Sequence, residues 1–211
     1  MAVRDRPLGS TIAFVSSRGG PRWVQGWPRR GALGRWVRAF DDTVDRWVER
    51  ARDPSLDPLF YGLSSAADHA LLWIALGALR AARRGDPAIA LRFAAVLGVE
   101  SALTNGPIKL AFRRIRPPST PPGPLPYGMH RPRTSAFPSG HATSAFTAAT
   151  LLSEDSPASS AYWELAVLVA ASRVYVRMHH ASDAVAGTLL GLAFGQIAKR
   201  VLTPSARESQ Q

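Results

Sequence analysis

The sequence predicts an all-α, membrane-embedded bundle of about five transmembrane helices, and three observations carry that prediction. Apolar residues are gathered into separate segments, so a near-neutral mean hydropathy conceals a segregated chain. Arg-, Pro- and Gly-rich stretches at 1–58 and 113–135 punctuate those segments. No period-2 alternation is long enough for a strand.

Taken in order, residues 1–33 carry Arg, Gly, Pro and Ser without a sustained period and read as a disordered basic arm. From Gly34 to Arg52, Trp36, Val37, Phe40, Val44, Trp47 and Val48 recur at helical spacing, with Arg35, Arg38, Asp42, Arg46 and Glu49 elsewhere on the wheel. Trp on one side and Arg on the other suit a helix lying in the bilayer interface; an ordinary surface helix packed on the domain fits the same pattern. Residues 1–58 therefore form an N-terminal arm with an amphipathic helix, 59–204 a helical membrane domain and 205–211 a tail.

Five apolar segments make up the domain. Leu59–Leu79 has the roughly 20 residues a span requires, and Ala88–Leu110 is a second, with Glu100 in its middle. Gly140–Leu152 is short and rich in small residues, Ala161–Val176 is the fourth, and Asp183–Leu202 the fifth. Gly187, Gly191 and Gly195 in the last form a GxxxGxxxG run that permits close helix contact. Between the second and third, Arg116–Pro138 is a Pro-rich loop long enough to cover a site.

Charge and composition bound the partners. With 26 Lys+Arg against 15 Asp+Glu, the 211-residue chain carries +11 and suits an anionic partner. Nucleic acid is disfavoured, because no finger, basic-zipper or RNA-sheet signature appears and aromatics do not interleave with a basic groove pattern. Cysteine is absent, which excludes disulfides, thiolate metal sites and a thiol nucleophile. No apolar core with a small-residue cleavage site occurs in residues 1–30, so no secretory signal is expected.

Three clusters at segment ends carry the chemistry: Lys109 with Arg116 and Pro117; Pro138-Ser139-Gly140-His141; and Ser172-Arg173 with His179 and Asp183. Lys109, Arg116 and Arg173 supply cationic donors for a phosphoryl group. Ser139 and Gly140 open a helix whose N–H groups can meet an oxyanion. His179 and Asp183 stand four apart, so the carboxylate can accept one imidazole N–H and leave the other nitrogen as nucleophile. His141 is then the candidate acid for the leaving alkoxide.

These clusters resemble the three-part signature of the type-2 phosphatidic acid phosphatase superfamily, K-x6-RP, PSGH and SR-x5-H-x3-D, at all eleven specified positions. The resemblance spans 109–183 and implies His179 as nucleophile, Asp183 as its orienting carboxylate and His141 as acid. It implies a phosphate cradle of Lys109, Arg116, Ser139, Gly140 and Arg173, with no metal and no cofactor. The implied substrate is a lipid phosphate: phosphatidic acid, phosphatidylglycerol phosphate, a polyprenyl mono- or diphosphate, or decaprenyl-phosphoryl-phosphoribose. A soluble acid phosphatase or a vanadate-dependent haloperoxidase shares the signature, but neither fits the segment pattern and length. A non-catalytic lipid-binding member is disfavoured because His141, His179 and Asp183 are all present.

Outside the signature, His180 reads as a substrate-side or structural residue, His69 as a helix-packing histidine and His130 as a loop histidine. Glu100 is expected to pair with an Arg of another helix. Arg113, Arg114, Arg131 and Arg133 suit either a second phosphate, a sugar phosphate or lipid headgroups, or plain surface solvation. With five spans, 19 of the 26 basic residues lie on the side of the arm and the Lys109–Pro138 loop, against six on the other. The positive-inside rule then places the site at the cytoplasmic face of the cell (inner) membrane. Membrane lipids are the expected surroundings, and homo-oligomerisation is left open.

Overall fold

The structure is a computed structural model that describes residues 31–118, 126 and 129–202. The arm before residue 31, the middle of the Pro-rich loop and the tail predicted at 205–211 lie outside the described residues. Among the described residues every regular element is helical. They are α1 (Ala32–Ala51), α2 (Asp57–Ala66), α3 (Leu71–Arg84), α4 (Pro87–Leu103), α5 (Lys109–Phe112), α6 (Gly140–Leu152), α7 (Ser159–Tyr175) and α8 (Ala181–Leu202).

The middle of the bundle is α6, packed by α8, α7, α4 and α3. Its side chains explain that position. Ala142, Ala145, Ala148, Ala149 and Leu152 are buried, and Thr143 and Thr150 turn their hydroxyls back onto the carbonyls of Ser139 (2.9 Å) and Phe146 (2.7 Å). A hydroxyl satisfied within its own helix can sit in an apolar core at little cost. Trp73, Phe93, Leu97 and Val169 complete this core. Large apolar side chains instead point outward, as with Leu91, Val99, Leu110, Leu189, Ile197 and Val201. Small residues at helix contacts and large ones outside are the arrangement expected where lipid takes the place of water.

The three glycines of α8 set the closest approach. A Cβ at Gly187 would stand 2.5 Å from the Ser139 carbonyl oxygen, one at Gly191 would collide with the Thr143 carbonyl, and one at Gly195 would lie 2.5 Å from Thr150 Cβ. No side chain can yield at the first two positions, because the obstacle is backbone.

Among the described residues two helices are long and apolar enough to cross a membrane: Pro87–Phe112, of 26 residues, and Ala181–Leu202, of 22. The predicted single span Leu59–Leu79 is not one helix. It breaks at Asp68–Ala70, where His69 and Ala70 adopt φ of 53° and 59°, and the two halves meet at 61°. Left-handed backbone cannot continue a right-handed helix. His69, expected to pack between helices, is exposed at this break. The segment predicted as Ala88–Leu110 also departs from regular form, through a π-turn at Thr104–Ile108 that contains Pro107. Glu100 is buried, but it accepts from Thr104 Oγ1 (2.9 Å) and Ser144 Oγ (2.7 Å) and not from an arginine. Two hydroxyls on the walls of its own site meet its need for donors.

At the far end of the bundle, Arg80 donates to the carbonyls of Leu152 and Glu154, and Arg84 to that of Asp155 at 3.2 Å. These bonds hold the end of α3 against the end of α6. The other ends of α6, α7 and α8 converge with α5 and the α2–α3 break.

Replacing Gly191 by Ala should lower thermal stability in detergent by about 1–3 kcal/mol, the usual cost of overpacking. Gly98→Ala, where a Cβ meets nothing within 4 Å, should be neutral or stabilising by up to about 1 kcal/mol. Equal melting temperatures for the two variants would contradict the packing described.

Candidate active site

The site forms where three chain segments end together. Ser139 caps α6, its side chain accepting from Ala142 N at 3.4 Å, while its own N–H donates to the Asp183 carbonyl at 3.0 Å. The glycine contact of α8 on α6 therefore fixes the Ser139–His141 turn beside Asp183. From α7 comes Arg173, and the short segment Val176–His180 that links α7 to α8 carries His179. The π-turn after α4 delivers Lys109.

His179 is 2% exposed, and its two ring nitrogens have unlike partners. Nδ1 lies 2.7 Å from the Ala136 carbonyl oxygen, whereas Nε2 lies 3.1 Å from an Arg116 NH group. A carbonyl can only accept and a guanidinium can only donate. The two contacts are compatible with one neutral tautomer, in which Nδ1 carries the hydrogen and Nε2 keeps its lone pair.

The predicted orienting role of Asp183 changes accordingly. Asp183 Oδ2 is 3.8 Å from His179 Nδ1, too far for a hydrogen bond, because α8 begins only at Ala181 and the two residues do not share a helical turn. Asp183 instead accepts from the His180 N–H (2.9 Å) and from Arg114 (2.6 Å), so it holds the segment that carries His179. Arg114, considered above as a ligand for a second phosphate, is thereby a structural cation. It bridges Asp183 to Asp41 of α1 (2.5 Å), and Asp41 also accepts from the N–H and hydroxyl of Ser182, both at 2.9 Å.

Lys109, Arg116 and Arg173 line the site as predicted cations, and each is held from behind. Lys109 donates to Asn105 Oδ1 (2.7 Å), Arg116 to the Met178 carbonyl (2.7 Å), and Arg173 to Ser64. Nε of Arg116 and Nε of Arg173 are buried without an acceptor. Buried donors of that kind are rare unless a ligand or solvent serves them. Burial lowers the Arg116 guanidinium to about 10, with Asp183 opposing the shift, so it remains charged at neutral pH. Burial, and then Arg116, Arg173 and Lys109, push the His179 imidazole well below its ordinary 6.5. His179 is therefore neutral at physiological pH, the form that has a lone pair to offer.

His141, at the first turn of α6, has Nε2 2.7 Å from Asp68 Oδ1 at the α2–α3 break. His180 lies apart from the cradle, its Nδ1 3.8 Å from Asp45 of α1. His130 is an exposed loop residue. A cavity of about 700 Å³ adjoins the site, with Lys109 and Arg116 on its inner wall, Leu110 and Ile115 as apolar lining, and Arg113 and Arg133 exposed. Arg131, also in its wall, donates to the Pro117 carbonyl and, at 3.1 Å, to that of Arg177. Among the described residues no three His, Asp or Glu side chains gather as metal ligands would.

Residues 89–207 match the sequence profile of the PAP2 superfamily, more than half of the chain. The chain belongs to the PAP2 superfamily. Two solved structures share its fold at 24% identity and a TM-score of 0.60. One is the transmembrane PAP2-type phosphatidylglycerolphosphate phosphatase from Bacillus subtilis, with 78% of this chain and 85% of that one covered. The other is LpxE from Aquifex aeolicus, with 75% and 93% covered. No curated protein matches the chain.

The PAP2 profile begins after α1 and the α2–α3 break, so Asp41 and Asp68 lie outside it. Sequence reasoning missed both, along with Asn105 and the Ala136 carbonyl. A signal existed for the two aspartates. Asp41 falls in line with Val37, Val44 and Val48, which is the face α1 buries, and Asp68 interrupts an apolar run. The Ala136 carbonyl left no trace, because backbone acceptors have no letter.

Asp41→Ala in this PAP2 protein should cost about 1–3 kcal/mol, since it removes one of the two carboxylates paired with Arg114 and takes the acceptor from the Ser182 N–H. Thermal unfolding in detergent checks this, and Asp42→Ala on the exposed side of α1 should leave the midpoint unchanged.

Proposed function

We propose that the chain is an integral-membrane phosphatase that takes a phosphoryl group from a lipid through a phosphohistidine on His179 Nε2. The observation that supports it best is the tautomer of His179: Nδ1 bound to a carbonyl, and a lone pair on Nε2 facing buried cations. The nitrogen attacks phosphorus, and the bond from phosphorus to the lipid oxygen breaks. That oxygen takes its proton from His141. Water then attacks phosphorus and gives a proton to His141, the phosphorus–nitrogen bond breaks with its electron pair returning to Nε2, and inorganic phosphate leaves with both histidines in their starting state. Arg116, Arg173, Lys109 and the N–H groups of the Ser139–Gly140 turn hold the equatorial oxygens, where charge develops. None of these steps calls for a metal.

The outward apolar faces favour a lipid over a soluble phosphate ester. The cavity suits a phosphorylated headgroup with its tail leaving past Leu110 and Ile115, and Arg113 and Arg133 suit a further anionic group. Phosphatidylglycerol phosphate, polyprenyl diphosphate and decaprenyl-phosphoryl-phosphoribose each carry one. Purified protein given these lipids, phosphatidic acid and a polyprenyl monophosphate should release phosphate in the presence of EDTA. His179→Ala should release none. The acid limb of kcat/KM should lie below pH 6.5, because a nucleophile with a lowered value keeps its lone pair until the pH falls through that value. Undiminished release by His179→Ala would overturn the mechanism.

Trp36 and Trp47 are 77% and 67% exposed on the face of α1 opposite Asp41 and Val48. They suit the headgroup region, with α1 lying flat beside the site. The break in the first segment leaves α3 to pass from the site end to the Arg80–Arg84 end, so the count of basic residues still favours a cytoplasmic site. A reporter fused at the N-terminus should be active only when targeted to the cytoplasm; activity confined to the outside would reverse the orientation.

A further inference from the structure

The geometry points to Asp68 as the residue that positions His141 for proton transfer to the lipid leaving group. This rests on the reaction proposed above. Asp68 belongs to none of the three signature clusters and lies before the residues matched by the PAP2 profile. It stands at the break between α2 and α3, where two successive non-glycine residues adopt left-handed backbone. Such conformations are costly and persist only where the surroundings enforce them. Here the break presents the Asp68 carboxylate to the first turn of α6, with Oδ1 2.7 Å from His141 Nε2.

A carboxylate can only accept, so Nε2 carries a hydrogen, and Nδ1 is left as the nitrogen that exchanges a proton with the reacting groups. Both halves of the reaction need this arrangement. To protonate the lipid oxygen the ring must be doubly protonated, and the adjacent carboxylate stabilises that imidazolium. To accept a proton from water the ring must be neutral with Nδ1 bare, which is the tautomer Asp68 selects. Burial, and then Arg173 and Lys109, disfavour positive charge on the ring, and Arg173 reaches to 4.0 Å of the same Asp68 oxygen. Without the carboxylate nothing offsets those two cations. The placement parallels orienting acceptors behind catalytic imidazoles generally, with the two histidines of this site held by different groups.

The test exploits leaving-group chemistry. An alkoxide leaves only with a proton, whereas p-nitrophenolate leaves without one. Asp68→Asn should lower kcat/KM for phosphatidic acid in mixed micelles about 100-fold, within the range of general acid catalysis, and for p-nitrophenyl phosphate less than about tenfold. His141→Ala should give the same split, and adding Asp68→Asn to it should cost nothing further. Asp68→Glu should recover part of the loss on the lipid alone. Equal losses on both substrates, no loss on either, or a further loss in the His141→Ala background would overturn the inference. His179→Ala separates the two readings. If it is inactive while Asp68→Asn shows no split, only the role of Asp68 fails; if it stays active, the phosphohistidine reading itself fails.

Discussion

Confining three cations around one buried imidazole is the constraint on which the rest of the structure depends. Lys109, Arg116 and Arg173 face His179 at low exposure, and like charges at such separations repel strongly away from water. Each is held by a group that leaves part of its donor set unspent: an amide oxygen for Lys109, a backbone carbonyl for Arg116, a serine for Arg173. Neutral acceptors suit this task. A carboxylate bound directly to each cation would cancel their field; Asp183, the most buried acid nearby, is instead matched to Arg114, and Asp68 comes no closer than 4.0 Å to Arg173. The cradle therefore stays positive although its surroundings are nearly satisfied.

Rigid packing makes that arrangement sustainable. The α6–α8 contact is close because three glycines remove every intervening side chain, and it brings the Ser139 N–H onto the Asp183 carbonyl. A looser contact would separate the two turns that carry the cradle. From the other side α1 closes the site: Asp41 holds Arg114 and Ser182, while Asp45 and Glu49 each lie 3.0 Å from Arg177. The N-terminal helix is thus part of the support for the His179 segment, although it precedes the matched family residues and carries none of the signature.

How much of this was legible in the sequence follows from how locally each feature is encoded. A short apolar run rich in small residues located α6 at its observed bounds, and the glycine spacing of α8 announced a close contact, because both depend on residues within one helix. The sequence left α1 as either interfacial or packed on the domain; one face does pack on the domain, burying Asp41 and Val48, and the other exposes tryptophans. The broken first segment was not legible. Its apolar run is continuous enough for one span, and what breaks it is tertiary, with Asp68 drawn to His141 and Ser64 to Arg173. Glu100 was recognised as costly, yet its hydroxyl partners, Thr104 and Ser144, were too ordinary to single out. Asp183 shows the limit of spacing arguments, since four residues apart means one face only where a helix already runs.

In the proposed reaction the fold assigns opposite tasks to the two histidines of the site. A nucleophile must be unprotonated and an acid protonated, so identical surroundings would serve one and impair the other. His179 is oriented by a backbone carbonyl, which fixes the tautomer and adds no negative charge, while burial and then three cations keep the ring neutral. His141 is met by a carboxylate, which fixes a tautomer and also stabilises the charged ring against Arg173 and Lys109. Exchanging the two partners would favour protonation of the nucleophile and disfavour it at the acid. The distinction between the roles thus lies in the acceptor behind each imidazole, a carbonyl from the Pro-rich loop in one case and an aspartate from a strained helix break in the other.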